Sequence, residues 1–152
     1  MNKQDAQKLL AKAGWYLNRN EAEIYNFTNA LLLCAIIDTE ERIKGSELKN
    51  IIAYTDHLNH SIMRFDEFNN SIRYLLQLGL VEEIDKRFFV NKEWYNRKFR
   101  HRNKSFKDIM IKNLQKQLYL AERSYKINKN IESKITEIDF ENIIEEYITN
   151  IK

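Results

Sequence analysis

Within the stretch Ile43–Lys92 the apolar spacing is helical twice and then strand-like, and no other part of the chain narrows the fold as much. Ser46 and Glu47 are expected to open the first of these helices, with Leu48, Ile51, Ile52 and Thr55 on its inner face. The second should start near Asp66, where Asp66 or Glu67 suits the positive end of a helix dipole. Winding Phe65–Leu78 at helical pitch gathers Phe68, Ile72, Leu75 and Leu76 on one side. Asp66, Asn70, Arg73 and Gln77, flanked by Tyr74, then face the other way. Gly79 supplies the helix stop. Beyond it, Leu80–Ile84 and Arg87–Val90 are β-favouring runs separated only by Asp85-Lys86, which predicts a hairpin. The connection Asp56–Arg64 reads as longer than the three- or four-residue turn of a compact helix pair. Ile43-Lys44 is the expected short strand beside the hairpin.

The flanks read as helices around this centre. Residues 3–13 have a helical pattern closed by Gly14, and Trp15, Tyr16 and Leu17 follow as anchors. Thr28–Ile37 is apolar nearly all round, which requires burial from several sides; Thr39–Arg42 is expected as a polar turn. After the hairpin, Asn91 can cap a short helix over Lys92–Asn96. A long helix follows from about Lys104 to Lys126, striped by Phe106, Ile109, Met110, Leu114, Leu118, Ala121 and Tyr125. Tyr119 and Leu120 widen that stripe beyond what one neighbour needs, so a homodimer through this helix is expected. Residues 128–138 read as loop or one short strand. A last helix should start near Asp139, with Ile138 and Ile143 as a hydrophobic staple and Ile144, Tyr147, Ile148 and Ile151 along its apolar side. No proline, Gly-rich linker or repeat divides the chain. The expectation is a single domain, 1–152, with a core over 28–94 and a helical extension over 104–152.

Composition narrows the setting. A chain of 152 residues can bury an ordinary core without staples, and the one cysteine, Cys34, cannot form an internal disulfide. The longest apolar run, Ala30–Ile37, is far short of the ~20 residues of a membrane span, and no secretory pattern opens the sequence. A cytoplasmic protein with no membrane association is expected. The net charge of +3 is local in origin. Arg97, Lys98, Arg100, Arg102, Lys104 and Lys107 fall in one stretch without an acid, and the other 19 basic residues are outnumbered by 22 acidic ones.

Ser46-Glu47-Leu48 opening one helix, Phe65-Asp66-Glu67-Phe68-Asn69-Asn70 opening the next, and Leu78-Gly79-Leu80-Val81 leading into a hairpin resemble the winged helix-turn-helix superfamily of bacterial regulators. The turn segment Asp56-His57-Leu58-Asn59-His60, with Phe65-Asp66-Glu67, looks like a poorly characterised branch of it. The resemblance covers about Thr28–Trp94. It implies a mainly α fold with a small β-hairpin wing, and a DNA-binding transcriptional regulator in which the helix after the turn lies in the major groove.

In that reading Asn70, Arg73 and Gln77 are the base-contacting types, Arg to guanine and Asn or Gln to adenine. Arg64, Lys86 and Arg87 are placed to hold phosphates of double-stranded DNA; the two-residue wing tip has little reach. Arg97, Lys98, Arg100, Arg102 and Lys104 form the electrostatic footprint, giving salt-dependent affinity with little sequence information. Winged helices also serve as protein-binding adaptors, and the acidic pair Asp66-Glu67 suits that alternative. Asp56, His57 and His60 carry a His-x-x-His spacing, but two ordinary histidines at a helix end outweigh a zinc site, so no metal is expected. No Gly-rich phosphate loop, Gly-x-Ser-x-Gly or His-Glu-x-x-His is present, and neither an enzyme nor a cofactor is expected. The sequence leaves any small-molecule effector undetermined.

Overall fold

The computed structural model describes residues 19–98 and 107–150, with side chains over 27–97 and 110–150. The expected helix at 3–13, and Arg100, Arg102 and Lys104, lie outside the described residues. The elements are α1 (Arg19–Thr39), α2 (Leu48–Asn59), α3 (Phe65–Gln77), β1 (Val81–Ile84), β2 (Arg87–Val90), α4 (Lys92–Lys98), α5 (Lys107–Ser124) and α6 (Glu137–Asn150). The fold is mainly helical with one antiparallel hairpin following three helices, the winged-helix-like arrangement expected of the sequence.

The hub is the second half of α1. Ala30 through Ile36 are all at most 2% exposed, on every side of the helix, because α2, α3, α5 and β2 pack around it. A continuous apolar run is stable in water only when enclosed in this way. The end of α1 lies further on than expected: Thr39 is still helical, and the polar turn is Glu41–Gly45. Two hydroxyls satisfy carbonyls of its last turn, Thr39 donating to Ala35 O at 2.6 Å and Ser46 to Ile36 O at 2.7 Å. Ser46 is therefore buried rather than opening α2, whose N-cap is Glu47. One row round on α1, the phenol of Tyr54 donates to Asp38 and lies 3.4 Å from Cys34 Sγ. Burial first, and then the Asp38 carboxylate, push that phenol far above its usual pKa.

Three further boundaries differ from the sequence reading. α2 continues to Asn59 and ends on His60 in the left-handed conformation (φ 54°), so the connection to α3 is only residues 60–64. The strand contact beside the hairpin is made by Ser46, which pairs with Phe88, while Ile43 is 87% exposed. α6 starts at Glu137, because Thr136 forms a reciprocal capping box with Asp139 at 3.1 Å in both directions. The buried flanking pair at staple spacing is then Ile135 and Phe140; Ile138 is exposed.

The hairpin has the register Val81↔Val90, Glu82↔Phe89, Glu83↔Phe88 and Ile84↔Arg87. Asp85 and Lys86 both take positive φ, 52° and 62°, as a two-residue turn matched to strand twist requires. Asn91 caps α4 as expected, its side-chain oxygen accepting from Trp94 N at 3.1 Å. The apolar side of α5 is used within the chain: Met110, Ile111, Leu114, Leu118 and Ala121 are buried, and α1 is the helix against which α5 packs. Tyr119 is half-buried and Leu120 is 39% exposed, so the two residues that widen the stripe, and with it the expected homodimer, are not covered by α1. No helix among the described residues is long and apolar enough to cross a membrane.

Candidate functional site

The amphipathic pattern of α3 is obeyed on its inner side. Phe68, Ser71, Ile72, Leu75 and Leu76 are buried, and Phe68 sits edge-on to Phe88 of the hairpin (centroids 6.0 Å apart, planes at 71°). This packing sets the angle between helix and wing and turns Asp66, Asn70, Arg73 and Gln77 outward, as the periodicity requires. Arg64 is the N-cap, so the helix begins before Asp66. A guanidinium has no acceptor with which to cap the first amides. Glu67 supplies the other half of the cap by accepting from the Arg64 amide at 3.4 Å.

The outward side is not free along its length, which corrects the expectation of an open face. Segment 128–134, between α5 and α6, runs across the C-terminal half of α3. Gln77 Nε2 donates to the carbonyls of Ile131 (3.2 Å) and Lys129 (3.4 Å), and Gln77 O accepts from Asn128 N at 2.9 Å. Arg73 Nε stands 3.6 Å from Glu132 Oε1, an ion pair too long for a hydrogen bond. Tyr74 donates to Glu122 of α5 at 3.0 Å. The segment continues along the hairpin, where Glu83 accepts from Ser133 Oγ and from Lys134 N (2.9 Å).

The phosphate-holding candidates have partners too. Lys86 at the wing tip donates to Asp139 Oδ2 at 3.0 Å. With the Thr136 amide as the larger cause and Lys86 next, that carboxyl is held below its ordinary pKa. Arg87 pairs with Glu47 at 3.3 Å and donates to Lys44 O. Arg64 reaches Asp66 (3.2 Å) and Glu67 (3.1 Å). Arg97 is exposed on α4 and donates to the Tyr125 hydroxyl. Lys98 ends α4; its side chain lies outside the described residues.

Of the base-contacting candidates on α3, Asn70 remains at an open position beside Asn69, and there α3 faces α6 rather than solvent alone. A cleft of about 580 Å³ separates the first turns of α3 from the first turns of α6, lined by Arg64, Asp66, Asn69 and Asn70 on one side and Glu137 and Glu141 on the other. Phe140 holds the two helices together: it is 1% exposed, stacks on Phe68 (5.3 Å, 30°) and meets Phe65 at 5.6 Å. Tyr147 ties the other end of α6 to α2, donating to Asp56 Oδ2 at 2.6 Å. That use of Asp56, with His60 closing α2, accounts for two of the three residues around the His-x-x-His spacing. Among the described residues no group of three or more His, Cys, Asp or Glu side chains is placed to hold a metal ion.

The residues that define this face and escaped the sequence reading are Glu122, Glu132, Glu137, Asp139 and Glu141. For Glu137, Asp139 and Glu141 the signal was present: from Ile135 to Ile151 five acids occur without one base. Set against known proteins, the chain matches no family model, no curated protein and no solved structure.

Proposed function

We propose that this chain is a non-catalytic winged-helix module that recognises another protein, and that its α3 does not read DNA bases. The observation that carries this reading is the pair of carboxylates that the C-terminal part of the chain sets against the groups a DNA reader needs: Glu132 at Arg73 and Asp139 at Lys86. Duplex phosphates could displace such exposed ion pairs, each of which contributes only about 0–1 kcal/mol. They could not as easily displace the segment. Withdrawing it together with α6, which carries Asp139, would strip Phe140 from the core, a loss comparable to the ~3–5 kcal/mol of truncating a buried phenylalanine. If only the ion pairs gave way and α6 stayed, Glu137 and Glu141 would remain beside the approach to Asn70 and repel phosphate. The cover is thus part of the fold. The lone buried Cys34 suits a reducing compartment, the cytoplasm.

A second reading keeps nucleic acid as partner but moves the contact to the basic stretch from Arg97 to Lys107, favoured by its six cations without an acid and by the exposure of Arg97. Titrating random-sequence duplex DNA at low and physiological salt separates the two. Under the adaptor reading the duplex does not bind at either salt concentration. Under the second, binding falls steeply with salt and is abolished by alanine at Arg97, Lys98, Arg100 and Arg102. Binding that changes its sequence preference in the Asn69/Asn70 variant would restore α3 as a base reader and overturn the proposal.

A further inference from the structure

The cleft between α3 and α6 has an apolar floor, made by Ile62, Met63, Phe65, Phe140 and Ile144, and an acidic rim. On the α3 side Asp66 is exposed, and the one cation there, Arg64, is already shared between Asp66 and Glu67. On the α6 side Glu137 and Glu141 stand one helical turn apart, and neither has an ion-pair partner among the described residues. Glu137 is accounted for by the helix dipole, since it lies in the first turn. Glu141 is beyond that turn and repels Glu137 at i,i+4, so the pair works against the helix it sits on. Carboxylates kept in that relation around an apolar floor are complementary to cations flanking an apolar group.

Resting on the adaptor reading, we infer that this cleft docks a cationic peptide segment of a partner protein, one apolar or aromatic side chain entering the floor while flanking Lys or Arg residues meet Asp66, Glu137 and Glu141. Its size decides the form of the occupant. About 580 Å³ accepts one large side chain with its neighbours, not the face of a whole helix. Its charge decides the sign: nucleic acids and anionic lipid surfaces are repelled by the same rim. The contact depends on salt through the rim and on the anchor through the floor.

The test is fluorescence anisotropy on the full chain with three labelled peptides, carrying phenylalanine between pairs of lysines, phenylalanine between pairs of glutamates, and alanine between pairs of lysines. Binding is expected at low salt for the first peptide, absent for the second and at least tenfold weaker for the third. Glu137→Lys/Glu141→Lys should abolish binding of the first peptide. Glu145→Lys/Glu146→Lys, with the same change of charge on exposed positions of α6 outside the cleft, should leave it within twofold. Glu137→Gln/Glu141→Gln repeats the loss without reversing charge at the helix start, and circular dichroism checks that each variant is folded. Equal weakening by both lysine pairs, equal binding of the alanine peptide, or no binding at low salt overturns the cleft. Failure here in a chain that also ignores DNA leaves the adaptor reading standing, whereas DNA binding sensitive to Asn69 and Asn70 removes that reading whatever the peptides do.

Discussion

Gly45 and Gly79 both sit at positive φ, 70° and 77°, but only one of them is hemmed in. A Cβ at Gly45 would lie 2.8 Å from Phe88 O and from the Phe89 ring, whereas at Gly79 it would meet nothing within 4 Å. Gly79→Ala should therefore cost only the left-handed backbone term, about 1–2 kcal/mol. Gly45→Ala must in addition push apart the turn and the strand it pairs with, and should lower the urea midpoint clearly more. Asp139 makes a second case at this scale. Its folded pKa is depressed, so its contribution to stability is complete above the ordinary carboxylate value of 3.8 and is lost as pH falls through the lower folded value. Chemical denaturation should find Asp139→Asn less stable than the parent at pH 6, and the difference should close as pH drops below about 4. A constant difference down to pH 2 would show that neither the Thr136 cap nor Lys86 depends on that charge. Gly79 was legible as a helix stop from its neighbours alone; the crowding at Gly45 was not, because Phe88 is distant in sequence.

At the scale of elements, α6 decides the most. It contributes Phe140, whose ring meets Phe65 and Phe68 of α3. Phe140→Ala should cost about 3–5 kcal/mol, with α3 and α6 lost in one transition rather than α6 detaching first. A separate early transition, followed by hydrogen exchange of α6 amides, would mean that the C-terminal segment is a removable strap and would reopen α3 to DNA. The inner side of α3 was predictable because a 3.6-residue period needs no partner to be recognised. Its outer side was not. Arg73 is polar whether it faces water or Glu132, and Gln77 whether it faces water or the carbonyls of Lys129 and Ile131; a hydrophilic residue carries no mark of what covers it.

For the whole molecule, the apolar side of α5 is the corresponding case. The same stripe, Met110 through Ala121, fits a dimer seam or an intrachain helix pair, and α1 supplies the second. Sedimentation equilibrium at micromolar concentration should accordingly return one chain of 18.4 kDa. A dimer would have to use a surface other than the buried side of α5. Charge is also organised at this scale. The acids of α6 and its approach stand beside α3, where Glu132 meets Arg73 and Asp139 meets Lys86, so the hairpin and the helix before it present a mixed surface instead of a positive one. Long-range steering toward DNA depends on a field of one sign, which this arrangement does not provide at α3.

The sequence by itself determined the helix–turn–helix–hairpin order, the enclosed α1, the Asp85-Lys86 turn and the Asn91 cap, because each rests on spacing or on the conformational preference of one or two residues. Tertiary structure alone decided that segment 128–134 crosses the end of α3, that Phe140 locks α6 beside it, and that Glu137 and Glu141 come to face Asp66. Those are meetings between parts of the chain far apart in sequence. Local periodicity says which side of a helix is apolar, but only packing says which other segment comes to lie against its polar side.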